Sequence, residues 1–274
     1  MHRHARRISV ISIGILLVGL VVAMVPYLWI VLTSVKRQVD ATAIPPKIIS
    51  PLSFKSWEEL LSGPFLGSLG NSVVITVATT VATLVIGVPA GYAFARGRFL
   101  GRRFLGGWLL FSRMMPPVIF IIPLFLFFHQ LRLINTYQGL VLAYMSGLLP
   151  FTVWMCASYF EDIPIEIEEA ARVDGASRGR AFLTVMLPLA VPGVLTVGVL
   201  IAIAAWSEYF IPFLLAGTGT TPATVGLVNY VGADVIDWGQ MAAASLTLVL
   251  PVAVLTLFAQ RGMLRGLSAG AVKG

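Results

Sequence analysis

The stretch Glu161-Asp162-Ile163-Pro164-Ile165-Glu166-Ile167-Glu168-Glu169-Ala170-Ala171-Arg172-Val173-Asp174-Gly175-Ala176-Ser177 is a polar island between long apolar runs. Pro164 stands where a first helical position belongs, and the acids Glu166, Glu168 and Glu169 behind it suit the positive end of a helix. Arg172 lies toward the other end, and Gly175 is placed to stop the helix in a left-handed cap. These signals predict a helix over about residues 164–175, roughly 16 Å long at 1.5 Å per residue. Ala170 and Ala171 give it a face of small side chains that another surface can approach closely. The segment is too polar to span lipid and too regular for a passive loop. It reads as a docking helix.

The chain around it is built for a bilayer. Of its 274 residues 58% are hydrophobic and only 11% charged, and the mean hydropathy is +0.91, far from a soluble average. Six stretches reach the roughly 20 apolar residues a crossing needs: residues 8–32, 69–93, 104–128, 139–159, 188–212 and 239–260. The fold class expected is therefore an all-α integral membrane protein with six transmembrane helices. The first stretch exceeds the apolar core of a signal peptide and has no clear small-residue cleavage site, so it reads as a retained span.

Charge placement orients the spans. Arg3, Arg6, Arg7, Arg96, Arg98, Arg102, Arg103, Arg172, Arg178, Arg180, Arg261, Arg265 and Lys273 fall on one side, against Lys36, Arg37, Lys47, Lys55 and Arg132 on the other. The positive-inside rule then predicts both termini and the docking helix in the cytoplasm. The net charge of +7 is spread over these short segments between apolar runs, which suits the positive-inside rule better than nucleic-acid binding. Residues 1–68 form a first span and an outer segment with Pro45, Pro46, Pro51 and Pro64, where a short helix is expected around residues 56–61. Residues 69–260 form the core, and residues 261–274 a glycine-containing tail.

Glu169-Ala170-Ala171, Asp174-Gly175-Ala176, Phe182, Leu187-Pro188-Leu189 and Pro192-Gly193 together resemble the EAA loop of ABC importer permeases. From about residue 26 to the C-terminus the chain is similar to the smaller permease of the maltose-type carbohydrate importers. That resemblance implies the type I importer permease fold, with residues 164–175 as the cytoplasmic coupling helix. Glu169, Ala170, Ala171, Asp174 and Gly175 would then meet an ATPase subunit. It further implies a second permease, two ATPase subunits that carry ATP and magnesium, and an extracytoplasmic sugar-binding protein or lipoprotein, all at a prokaryotic inner membrane. The implied work is uptake of a mono-, di- or oligosaccharide or a polyol by alternating access. The tail would contact the ATPase dimer.

The chemistry missing from the sequence agrees with a permease. No Gly-x-x-x-x-Gly-Lys-Ser/Thr phosphate loop occurs, and the four lysines, at 36, 47, 55 and 273, are not so placed. His2, His4 and His129 have no metal-ligand spacing, and Cys156 lies alone in an apolar run. No cofactor or metal is therefore expected on this chain, and it is not itself an enzyme. Two ionisable residues fall inside spans, Arg113 and Glu208, and such groups are functional candidates by default. They are read either as charges of the substrate path or as structural charges. Trp206-Ser207-Glu208-Tyr209 resembles the family's Trp-Asn-Glu-Phe, with Ser207 in place of the amide, so Trp206, Glu208 and Tyr209 join Arg113 as path candidates. Between residues 213 and 238, Asn229 and Tyr230 lie in a loop that the resemblance directs toward the binding protein and that is otherwise a plain surface loop. Two rival functions are an ion-coupled secondary transporter using Arg113 and Glu208, and a membrane scaffold without transport. The first gives no reason for the docking helix, and the second predicts that the intramembrane charges are dispensable.

Overall fold

A computed structural model describes residues 2–114, 117–231 and 236–270, with the side chains of residues 2–11, 110, 113, 117, 118 and 259–270 outside that description. Backbone amides have no water to bond in hydrocarbon, so long apolar runs become helices. Among the described residues, five helical stretches are long and apolar enough to cross a membrane: Ser12–Ser34, Phe65–Arg96, Tyr137–Glu161, Arg178–Trp206 and Trp238–Phe258. No strand occurs among the described residues.

Within the third expected span, residues 104–128, the described residues form α5 (Arg102–Met114) and α6 (Pro117–Gln130). The fifth apolar run stops early. Its helix α10 (Leu187–Trp206) ends at Ser207, and a separate α11 (Phe210–Leu215) follows.

Contacts divide the chain into two units. The first comprises residues 1–66 and 227–250. It contains α1 (His2–Ser34), α2 (Gln38–Ala41), α3 (Lys55–Ser62) and the start of α12 (Trp238–Gly270). The expected short outer helix is α3. The Trp57 indole donates to Ser34 Oγ at 3.3 Å, and Gln240 Nε2 donates to Glu59 Oε2 at 2.6 Å. Lys36 is buried with its ammonium 4.5 Å from the centre of the Trp29 ring and donating to the Lys47 carbonyl. Asp40 takes Lys47 at 2.9 Å and Arg37 at 2.9 Å. The Lys47 and Arg37 bonds hold its carboxyl below the usual range.

The second unit comprises residues 67–226 and 251–274 and is organised around α7 (Tyr137–Glu161). Against it lie α4 (Phe65–Arg96), α5, and the run formed by α8 (Ile165–Val173), α9 (Arg178–Ala181), a wide turn at Phe182–Met186 and α10. The fit depends on small residues. A Cβ at Gly87 would strike Thr152, one at Gly91 would strike Cys156, and one at Gly193 would strike the Tyr159 ring. Close approach through glycine is how membrane helices gain contact where lipid offers no hydrophobic driving force. One buried cluster (Ile75, Leu140, Tyr144, Ala205, Leu215) fills one end of α7, and another (Val88, Cys156, Phe160, Met186, Val197) the other.

Candidate functional site

The polar island folds as its residues require. Pro164 is the N-cap of α8 with φ −54° and ψ 134°, and Glu166 and Glu168 occupy the first turn. At the far end Gly175 takes φ +92°. Its amide bonds the Arg172 carbonyl at 3.1 Å while the Ala176 amide bonds Ala171 at 3.0 Å. That pair of bonds is a Schellman cap, and φ > 0 there is why the stop is glycine. Ser177 Oγ then accepts from the Arg180 amide at 3.3 Å and opens α9.

The outer face of α8 holds the expected docking residues. Glu169, Ala170, Asp174 and Gly175 are exposed, and Ala171 is half-buried. Around them stand exposed apolar side chains, Val173 at 87% and Leu183 at 62%. The inner face holds one buried residue, Glu168. Tyr92 Oη donates to its Oε1 at 2.7 Å, and Arg96 Nε faces its Oε2 at 3.3 Å as an ion contact without hydrogen-bond alignment. Another arm of Arg96 donates to the Ile163 carbonyl in the elbow between α7 and α8. The Tyr92 ring lies edge-on to Phe160 at 5.4 Å and against Phe182 at 4.7 Å. An exposed pair, Arg102 with Glu161 at 3.1 Å, stands at the same end of α7. Removing one partner of a buried ion pair strands the other charge, typically at about 3–5 kcal/mol.

Tyr92 and Glu168 have no part in the sequence-derived site. Three of the four residues from Glu166 to Glu169 are acids, and nothing in that run reveals which carboxylate turns inward. The available signal was Tyr92 and Arg96, spaced i and i+4 on one helix face.

Trp206, Glu208 and Tyr209 come together at the break between α10 and α11. Glu208 Oε1 accepts from the Phe210 and Ile211 amides at 2.9 and 3.2 Å, so the carboxylate caps α11. The Glu208 carbonyl accepts from the Thr224 hydroxyl at 2.8 Å. Trp206 is buried, and the Tyr209 ring stacks on Phe213 at 5.4 Å. Arg113 belongs to α5, and its side chain lies outside those described. Asn229 and Tyr230 lie in the other unit, on the short turn Leu227–Tyr230. Asn229 is exposed; Tyr230 packs on Phe65, and burial followed by the charge of Asp237 pushes its hydroxyl above the ordinary tyrosine value. Among the described residues no group of three or more His, Cys, Asp or Glu could hold a metal.

Comparison with known proteins bears on the whole arrangement. The profile of a family described as binding-protein-dependent transport system inner membrane component matches residues 83–264. The chain is 36% identical over 257 residues to the trehalose transport system permease protein SugB of Mycobacterium tuberculosis, covering 92% of this chain and 93% of that one. It is 32% identical over 269 residues to the trehalose/maltose transport system permease protein MalG of Thermococcus litoralis, covering 96% and 95%. Among solved structures it is similar in fold to a chain of a bacterial ABC transporter involved in the import of the acidic polysaccharide alginate. There the TM-score is 0.81 at 24% identity, over 93% of this chain and 96% of that one.

Proposed function

The chain belongs to the family of binding-protein-dependent transport system inner membrane components, and on that premise we propose that it is one of two permease subunits of an ATP-driven sugar importer. It lies in a prokaryotic inner membrane with both termini and α8 in the cytoplasm. Its cargo is a sugar or polyol delivered by an extracytoplasmic binding protein, and two ATPase subunits supply ATP and magnesium chemistry. The observation that carries this reading is the two-sidedness of α8. Its inner side is tied down by Glu168, while Glu169, Ala170, Asp174 and Gly175 face outward beside exposed Val173 and Leu183. A monomeric face of that kind is built for a partner. The sugar class is supported by relatives named for trehalose, for trehalose and maltose, and for diacetylchitobiose.

In this mechanism closure of the ATPase pair pushes α8, and the spanning helices convert that push into alternate opening of the path. Arg113, Trp206, Glu208 and Tyr209 are the proposed path residues, and Asn229 and Tyr230 the proposed contacts for the binding protein. Ion coupling gives α8 no role and is the weaker reading. The test is copurification from membranes. Glu169→Lys should insert normally yet lose the ATPase subunit expressed with it, and a panel of radiolabelled trehalose, maltose and diacetylchitobiose should show ATP-dependent uptake of at least one. Retention of the ATPase by Glu169→Lys and by Gly175→Val together would overturn the docking assignment.

A further inference from the structure

We propose that Tyr92, Arg96 and Glu168 form a latch that makes α8 a single body with the end of α4 and the α7–α8 elbow, and that they are positioning residues for coupling. The inference rests on the reading of α8 as the ATPase-docking helix.

A helix of nine residues has little stability of its own. To pass force onward it needs a tie to the spanning helices, and its chain connections are an elbow at one end and a glycine turn at the other. The single residue it buries is a carboxylate. A well-packed apolar side chain there would hold α8 at least as firmly, since burying an ion pair gains little net stability over hydrophobic contact. What an ion pair adds is direction. Tyr92 and Arg96 are one turn apart on α4, so they grip both oxygens of Glu168 from fixed points. Arg96 also holds the Ile163 carbonyl, so one guanidinium spans the elbow and the helix beyond it. The Tyr92 ring is clamped between Phe160 of α7 and Phe182 of the wide turn, so rotation of α8 must carry these elements with it. None of the three residues contributes to the exposed docking face, and the latch therefore separates holding the ATPase from transmitting its motion.

The test uses the purified complex of this chain with its second permease and ATPase subunits, and needs no identified sugar. Tyr92→Phe and Glu168→Gln should copurify ATPase at the wild-type ratio. Without binding protein, ATP hydrolysis per ATPase subunit should rise roughly tenfold, the ratio set by one hydrogen bond to a charged group, because a slack docking helix no longer restrains closure. Amide exchange over residues 165–173 should quicken in the same variants. Tyr92→Phe removes only a hydroxyl and keeps the aromatic packing, so misfolding does not confound it. Unchanged hydrolysis and exchange in both variants would overturn the latch. Loss of ATPase from Tyr92→Phe would also overturn it, making the cluster an assembly element. Glu169→Lys reads docking separately, so failure of that reading is told apart from failure of this one.

Discussion

The two ends of α7 are fastened in opposite chemical ways. At the end that leads into α8 the tie is a buried charge pair, Arg96 with Glu168, backed by one tyrosine hydroxyl and two phenylalanine rings. At the other end a set of hydrogen bonds between uncharged groups does the fastening. Asn71 Oδ1 accepts from the Tyr137 hydroxyl at 2.6 Å, and its amide donates to the Thr221 carbonyl at 3.0 Å and the Gly219 carbonyl at 3.4 Å. Asn135 Oδ1 accepts from the Thr220 hydroxyl at 2.9 Å, and the Ala223 amide donates to Ser72 Oγ at 2.8 Å. A buried charge concentrates its energy in one pair and fails all at once. A net of amides and hydroxyls spreads a similar duty over many bonds, each worth about 0.5–1.5 kcal/mol. The first suits a joint that must move as one piece, and the second a surface that must keep its shape.

That contrast can be broken by measurement. Arg96→Ala leaves Glu168 buried without its counter-ion, and should cost about 3–5 kcal/mol in detergent unfolding, the largest effect of the set. Asn71→Ala removes three bonds yet leaves partners that water can reach, so about 1–3 kcal/mol is expected. A larger cost at Asn71 than at Arg96 would invert the comparison. Tyr137→Phe loses a single neutral bond, about 0.5–1.5 kcal/mol.

The smallest effect belongs to a third site, which separates charge from burial. Asp40 is paired like Glu168, but its partners Lys47 and Arg37 are 54% and 61% exposed. Lys47→Met should cost less than any of these, because the lysine end of the pair is screened by solvent and Arg37 still holds the carboxylate. Its pH signature follows from the lowered carboxyl. A depressed acid stabilises the fold above the ordinary carboxylate range and loses that stabilisation as pH falls through its lowered value. Protection of the amides over residues 35–48, taken relative to their intrinsic exchange rate at each pH, should therefore be full at neutral pH and fall only in strong acid, and Lys47→Met should move that point upward.

The α8 helix was legible because Pro164, the acids and Gly175 act within one turn of where they stand. Glu168 was not, since what turns it inward is Arg96, distant in sequence and adjacent only after α4 meets α8. Apolar composition marked the spans but not their interruptions. The run through Trp206 to Pro212 reads as continuous until Ser207 ends α10 and Glu208 caps α11. The carboxylate that marks this run as a candidate stretch of the path also has one oxygen accepting from two amides, a local role its apolar neighbours do not announce.

From Arg178 to Trp206 the backbone stays helical without a gap, but at Phe182–Met186 the Leu187 amide bonds the Phe182 carbonyl, five residues back rather than four. Such a turn absorbs one surplus residue without disturbing its flanks. Excising a single residue there would restore ordinary pitch and leave every face of α10 where it is. The same excision between residues 190 and 200 would swing Trp206 by about 100°, since each residue is one part in 3.6 of a turn. Relatives should thus differ in length within residues 182–186 more freely than anywhere else along this helix, and a deletion scan would map where the chain can be shortened.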